Sequence, residues 1–202
     1  MQSPIIYSSS PHSYYLLVGL GNPGRQYENT RHNVGFMTMN RLAGKLGENF
    51  SKLESKALIA KCTYQEQRLI LAKPQTYMNL SGRAVSSLLR YYKVPLANLL
   101  VTYDDVDLPL GALRMRHGGG SAGQKGMQSI VEQLGTEDFP RLRIGIGRPP
   151  GRMDAADYVL LDFSRDEAEA LNFMLDTATE AILTFVTGGL EKAMNLYNNR
   201  NA

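Results

Sequence analysis

The feature that most constrains the fold is the continuous apolar run YYLLVGL at Tyr14–Leu20, which leads into a loop punctuated by glycine and proline. A short run without polar alternation is typical of a strand that is buried on both faces. Such a strand needs neighbouring strands and covering helices to hide its side chains from water. The run therefore predicts a first strand in the interior of a sheet.

Strand and helix patterns alternate along the rest of the chain. Ser81 can cap a helix that runs to Tyr92, and Ser164 with Glu167 has capping-box spacing before a long helical stripe that Gly188 and Gly189 interrupt. These patterns predict a single α/β domain, with a mixed, mostly parallel sheet flanked by helices on both faces. The predicted strands are 14–20, 57–63, 68–72, 99–103, 112–116 and 142–147. Two further helices are predicted. One covers 34–46 and is stopped by Gly47, and the other begins near Gly118 and continues through 128–134.

Residues 1–13 are predicted to form a flexible extension before one domain at 14–202. They lack the basic start and long apolar middle of a secretory signal, and no apolar run approaches the ~20 residues that span a bilayer. A single cysteine, Cys62, excludes an internal disulfide framework and favours a reducing compartment. We therefore expect no membrane association, and a location in the cytoplasm or in the stroma or matrix of an organelle.

Charge is unevenly distributed along a chain whose net charge is only +3. Residues 108–153 contain seven Lys/Arg against three Asp/Glu, whereas residues 154–202 contain nine acids against three bases. An anionic partner is expected to meet the middle of the chain and to avoid its end. The side chains predicted to form one basic surface are Arg114, Arg116, Lys125, Arg141 and Arg143.

Three glycines, Gly19, Gly21 and Gly24, match the G-x-G-x-x-G pattern of dinucleotide-binding proteins. In those proteins a helix begins within the motif, so that its N–H groups meet the pyrophosphate. Here Pro23 and the polar stretch RQYENT delay the helix, and the ribose-binding acid expected ~20 residues further on is absent. The pattern is therefore not interpreted as a nucleotide site.

Polar clusters stand where apolar segments end, and two of them suggest a catalytic pair. His32 lies in the first cluster, and Asp104 comes directly after a buried strand. A carboxylate beside a histidine fixes its tautomer and stabilises the imidazolium that forms when the ring takes a proton. No G-x-S-x-G or H-E-x-x-H motif occurs, and the histidines share no metal-ligand spacing. The sequence predicts a histidine that activates water, without a metal ion.

Four motifs resemble, in order and spacing, the bacterial-type peptidyl-tRNA hydrolases: GLGNPGRQYENTRHNVGF, KPQTYMNLSG, YDDVDLPLGALRMR and FPRLRIGIGRPPG. The resemblance runs from about Leu16 to Asn199. It implies a monomeric α/β enzyme without a cofactor. Its substrate would be peptidyl-tRNA, bound through the acceptor stem and cleaved at the ester between the peptide and the 3′ end.

The resemblance also implies roles for individual residues. By position, the catalytic base falls on His32 and the acid that holds it basic falls on Asp104. The asparagine that distinguishes peptidyl-tRNA from free aminoacyl-tRNA corresponds to Asn22. Further substrate and tRNA contacts correspond to Tyr27, Tyr77 and Asn79.

One segment departs from the family pattern. A glycine-rich stretch that usually ends in His-Asn-Gly reads GGGSAGQKG here, so that Gln124 and Lys125 stand at the His-Asn positions. Lys125 cannot accept a hydrogen bond, but it can meet a phosphate. This departure leaves open a second hypothesis, a non-catalytic RNA-binding or splicing-partner protein on the same scaffold. An exposed apolar patch would favour that alternative.

Overall fold

The structure, a computed structural model, describes residues 13–198, so the predicted extension lies outside the described residues except for Ser13. Among these residues, seven strands form one sheet. The same residues also form five α-helices and several short 3₁₀ turns, and the last two helices follow the last strand. The strands are β1 (Tyr14–Gly19), β2 (Lys52–Glu54), β3 (Ala57–Tyr64), β4 (Gln67–Pro74), β5 (Leu99–Asp105), β6 (Leu113–Arg116) and β7 (Arg141–Gly145), and the helices are α1 (Val34–Lys45), α2 (Ser81–Tyr92), α3 (Lys125–Leu134), α4 (Ala155–Tyr158) and α5 (Ala168–Tyr197).

The strand order is β2-β3-β4-β1-β5-β7-β6. The four central strands β4, β1, β5 and β7 are parallel to one another, whereas β2, β3 and β6 pair antiparallel on the outside. The predicted mixed sheet is confirmed, with its parallel pairs at the centre. Because parallel strands all end at one edge of the sheet, the loops after β4, β1, β5 and β7 meet there, which is where open α/β sheets bind ligands.

Helices cover both faces of the sheet, as predicted. Side chains of β1 alternate between the two cores: Leu17 packs with α1 and α5, and Leu16 and Val18 pack with α2 and α3. All three side chains are fully buried. Burying a leucine or valine stabilises the fold by about 1.5–3 kcal/mol, so a strand that is apolar on both faces is stable where helices cover both sides of the sheet.

The first two glycines of the loop after β1 allow α1 to pack closely. A Cβ atom on Gly19 would lie 2.1 Å from the carbonyl oxygen of Gly35, and one on Gly21 would lie 2.7 Å from the ring of Phe36. Any side chain at either position would push α1 away from the end of β1. The G-x-G-x-x-G pattern therefore reflects contact between a helix and a strand.

Two predicted helix starts differ from the structure. The chain enters α2 from the 3₁₀ turn Met78–Leu80, so Ser81 is already helical and does not act as the cap. Helix α3 begins at Lys125 and not near Gly118, since Gly119, Ala122 and Gly123 adopt positive φ angles that a right-handed helix excludes. By contrast, the breaks at Gly47 and Gly189 and the capping box of Ser164 and Glu167 are confirmed.

Of the helices between residues 13 and 198, none combines the length and apolar character that a bilayer-crossing segment requires.

Candidate active site

A cleft of about 620 Å³ opens at the edge of the sheet where the parallel strands end. Its walls come from segments that are far apart in the chain and that follow different strands. The loop after β1 provides Asn22, and the turn before α1 provides His32. The remaining walls are formed by residues 77–79 after β4, 103–106 at the end of β5, 121–125 at the start of α3, and 155–157, 159 and 160 around α4.

His32 and Asp104 meet in this cleft. The Nδ1 atom of His32 lies 2.8 Å from the Oδ2 atom of Asp104. Both side chains are largely buried, with exposed fractions of 12% and 3%. His32 is held in place by the 3₁₀ turn Arg31–Asn33, whose backbone N–H groups donate to carbonyls of the segment after α4. The predicted contact between the two side chains is confirmed.

This contact determines which nitrogen of His32 is basic. A carboxylate only accepts hydrogen bonds, so Nδ1 must carry the proton that it shares with Asp104. Nε2 is then the nitrogen with a free lone pair. The imidazolium that forms when Nε2 takes a proton is stabilised by the adjacent carboxylate.

Gln124 is a member of the site whose contact with Asp104 was not predicted. Its Nε2 atom donates to Oδ1 of Asp104 at 3.1 Å, and its Oε1 atom accepts from the backbone N–H of Met127 at 2.8 Å. The same side chain therefore caps α3 and binds the carboxylate that holds His32. The sequence placed the start of α3 near Gly118, so Gln124 was not recognised as its N-cap.

Asn22 presents an oriented amide to the cleft. Its Oδ1 atom accepts from the backbone N–H of Met78 at 2.8 Å, and its backbone N–H and C=O bind the side chain of Asn33. With Oδ1 occupied, Nδ2 is the end of the amide left to face the cleft. Among residues 13–198, no protein group accepts a hydrogen bond from Asn22 Nδ2, so it can donate to a bound oxygen atom.

Arg31, next to His32, ties the histidine turn to the start of α5. Its guanidinium donates to both carboxylate oxygens of Glu167, at 2.9 and 2.7 Å. The guanidinium carbon lies 4.5 Å and 4.8 Å from the ring centroids of Tyr158 and Phe163. The hydrogen bond from Arg31 lowers the pKa of Glu167 to about 2. Arg31 stood within a predicted polar cluster, but nothing in the local sequence indicated a partner 136 residues away.

The predicted basic surface is only partly present. Arg114 and Arg116 are exposed and lie on the same face of β6, because residues two apart in a strand point to the same side. Arg141 does not belong to such a surface, because it is 1% exposed and its guanidinium donates to the carbonyls of Gly119, Gly120 and Glu137. Its guanidinium therefore holds the glycine-rich segment at Gly119 and Gly120 in place and is not available to an external partner.

Arg143 is also committed to a partner, since its Nε atom donates to the buried carboxylate of Asp105. Its side chain is 16% exposed and its charge is balanced. The prediction that five side chains form one basic surface is therefore corrected to the exposed pair on β6 and to Lys125 at the cleft.

The remaining predicted residues differ in position. Tyr77, Asn79 and Lys125 line the cleft, and Tyr77 is 62% exposed. Tyr27 is half-buried in the 3₁₀ turn Arg25–Tyr27 and does not line the cleft. The structure thus brings together the residues around His32 and leaves Tyr27 to the side.

Other nucleophiles and metal ligands are poorly placed in the described part of the chain. Burial raises the pKa of the Cys62 thiol to about 11, which leaves it protonated at neutral pH. Between residues 13 and 198, no group of three or more His, Cys, Asp or Glu side chains is arranged to hold a metal ion. The His32–Asp104 pair is therefore the contact in this cleft that is suited to general-base chemistry.

Comparison with known proteins gives one consistent result. The family profile described as Peptidyl-tRNA hydrolase matches residues 16–202. A protein of that name from Chloroflexus aurantiacus is 51% identical over 185 residues, which cover 91% of this chain and 98% of the relative. A protein named "Peptidyl-tRNA hydrolase, chloroplastic" from Arabidopsis thaliana is 48% identical over 189 residues, 93% of this chain and 66% of the relative. The solved structure of peptidyl-tRNA hydrolase from Acinetobacter baumannii superposes with a TM-score of 0.87 at 32% identity, over 93% of this chain and 96% of that one.

Proposed function

The chain belongs to the peptidyl-tRNA hydrolase family, and we propose that it hydrolyses the ester between a peptide and the 3′ end of tRNA, with His32 as the general base. The observation that carries this proposal is the buried 2.8 Å contact between His32 Nδ1 and Asp104 Oδ2 at the wall of the cleft. It leaves Nε2 able to accept a proton from water.

In the proposed reaction, His32 Nε2 takes a proton from a water molecule as its oxygen attacks the ester carbonyl carbon. The carbonyl oxygen gains negative charge, and Asn22 Nδ2 is the donor oriented to stabilise it. When the tetrahedral intermediate collapses, the bond between carbon and the ribose oxygen breaks. The imidazolium returns its proton to that oxygen, so that a free peptide acid and tRNA with its hydroxyl are released.

The exposed side chains around the cleft are proposed to bind the tRNA. Tyr77 offers a largely exposed ring on which a terminal base can stack, a contact worth about 1–3 kcal/mol per base. Lys125, at the start of α3, can pair with a phosphate of the acceptor stem, and Arg114 and Arg116 extend positive charge along β6. Asn79 is assigned to substrate contact by its family position and by its place in the cleft lining, whereas Tyr27 is assigned by family position alone.

The chain is proposed to act as a monomer, as its resemblance to the family implies. We assign it to the cytoplasm or to an organelle, in line with relatives that are bacterial and one named as chloroplastic. The alternative of a non-catalytic RNA-binding protein has no support among these relatives, all of which bear the hydrolase name.

The test is release of the acyl group from a purified N-acetyl-aminoacyl-tRNA by the wild-type chain and by His32→Ala. Loss of a positioned base lowers turnover by about 10²-fold to 10⁴-fold, whereas tRNA affinity should persist because phosphate contacts lie elsewhere. His117→Ala is the matched control, because His117 is 68% exposed and lies outside the cleft lining. Near-normal hydrolysis by His32→Ala would refute the mechanism.

A further inference from the structure

We infer that Gln124 is a positioning residue for the reaction: it orients Asp104 and thereby holds His32 with Nε2 free. This inference rests on the proposed function, because it assigns a role through the His32–Asp104 pair. Gln124 is 9% exposed and Asp104 is 4% exposed. A hydrogen bond between an amide and a carboxylate in such a setting is stronger than one in water.

The two ends of the Gln124 amide cannot exchange places. The backbone N–H of Met127 can only donate, so it requires the amide oxygen, and the carboxylate of Asp104 requires the NH₂ group. The side chain is also confined, because its Nε2 atom lies 3.4 Å from the sulfur of Met78. Gln124 therefore donates to Asp104 in one fixed direction.

A continuous series of hydrogen bonds follows from this arrangement. The N-terminus of α3 donates to Gln124, Gln124 donates to Oδ1 of Asp104, and Nδ1 of His32 donates to Oδ2. With Oδ1 occupied, the carboxylate cannot rotate without losing one of its two partners. Its remaining oxygen is held toward His32, which keeps the imidazole in one tautomer and one orientation.

Gln124 does not titrate, so its donor is present at every pH at which the enzyme works. Replacing this donor by an acid makes the site depend on pH in a new way. The other titratable and charged groups at the site are Tyr77, Tyr103, Asp105 (paired with Arg143), Lys125 and Asp157.

Two substitutions separate the contact with Asp104 from the capping of α3. Gln124→Ser supplies a residue that caps helices well but is too short to reach Asp104. Gln124→Glu keeps an oxygen for the N–H of Met127 and replaces the donor by a second carboxylate. We expect kcat to fall about 10-fold to 100-fold in Gln124→Ser, the effect of removing one hydrogen bond from a charged group, with KM within about twofold. The melting temperature should fall by several degrees because the buried carboxylate of Asp104 loses a donor, so kcat is compared at a temperature at which the variant is folded.

The pH profile of Gln124→Glu provides a readout that a purely structural residue would not affect. At high pH two carboxylates face each other and repel, whereas at lower pH one shared proton restores a donor to Asp104. The activity deficit should therefore grow as the pH rises, and the pH optimum should move below that of the wild type.

Gln128 provides the matched control. It lies on the same helix, is exposed, and donates to Glu132 at 3.0 Å, so Gln128→Ser and Gln128→Glu remove an amide–carboxylate bond of the same kind outside the cleft. Both should retain wild-type kcat and pH profile. Normal kcat in folded Gln124→Ser, or a Gln124→Glu profile parallel to the wild type, would overturn the inference. Measuring His32→Ala in the same assay separates this inference from the proposed function. If His32→Ala is inactive and the Gln124 variants are fully active, only the role of Gln124 is refuted. If His32→Ala is active, the proposed function itself is refuted.

Discussion

The cleft and strand β6 use polar side chains in opposite ways. In the cleft, Asp104 and Gln124 are buried, and each has defined hydrogen-bond partners. On β6, Arg114 and Arg116 are exposed, and neither side chain has a hydrogen-bond or ion-pair partner among residues 13–198. Chemistry requires groups that are desolvated and fixed before substrate arrives, whereas binding a phosphate backbone requires charges that are not already neutralised.

Arg141 lies at the boundary between these two regions and belongs with the first. It is paired in register with Arg116 across β6 and β7, yet its guanidinium is buried against three backbone carbonyls. Two arginines that are neighbours on adjacent strands therefore have different surroundings, one buried and one exposed. The difference arises because the segment from Gly118 to Gly123 folds over one of them.

The largest effect on stability is expected from Arg141→Met. The change removes a buried charged donor that serves three backbone carbonyls, and a hydrogen bond to a charged group contributes about 1.5–3 kcal/mol. We expect a loss of about 3 kcal/mol or more in the free energy of unfolding, measured by urea denaturation. Arg116→Met is the control at the paired position and should cost less than about 0.5 kcal/mol. Equal effects of the two substitutions would remove the distinction between the two arginines.

A smaller effect, dependent on pH, is expected from Glu167→Gln. The pKa of Glu167 is lowered to about 2 in the folded state, chiefly by the hydrogen bond from Arg31, from an ordinary value of 4.5. The ion pair therefore stabilises the fold fully above about pH 4.5, and this contribution is lost as the pH falls toward 2.

At pH 7, Glu167→Gln should lower the free energy of unfolding by about 1–2 kcal/mol, an amount reduced by the partial exposure of the carboxylate. Wild type and variant should converge in stability as the pH approaches 2. Glu169→Gln, at an exposed glutamate on the same helix, is the control and should leave the profile unchanged. A difference between wild type and Glu167→Gln that persists at pH 2 would contradict the assignment of the lowered pKa to this ion pair.

The smallest effect on the protein itself is expected from replacing Arg114 and Arg116 together by alanine. Stability should change by less than about 0.5 kcal/mol because the side chains are exposed. The slope of log affinity for tRNA against log salt should become shallower by roughly one to two units, since each lost phosphate contact removes about one. An unchanged slope would show that the tRNA lies elsewhere.

The sequence predicted most of the fold, because buried strands and amphipathic helices leave periodic patterns that are local. It also predicted the contact between His32 and Asp104, since polar residues at the ends of strands collect at one edge of a parallel sheet. The residues that it missed or misassigned depend on distant packing. The burial of Arg141 is set by a glycine-rich segment, and the contact of Gln124 with Asp104 is set by where α3 begins, which positive φ angles at Gly119 and Gly123 determine.

The most direct test of the account is a double-mutant cycle on His32 and Asp104, with single-turnover hydrolysis of N-acetyl-aminoacyl-tRNA as the measurement. Asp104→Asn alone should lower the rate by about 10²-fold or more, because an amide at this position favours the wrong tautomer of the imidazole. If Asp104 acts through His32, adding Asp104→Asn to His32→Ala should cost almost nothing further. If instead the two losses multiply, the carboxylate acts independently of the histidine, and the proposed catalytic pair is contradicted.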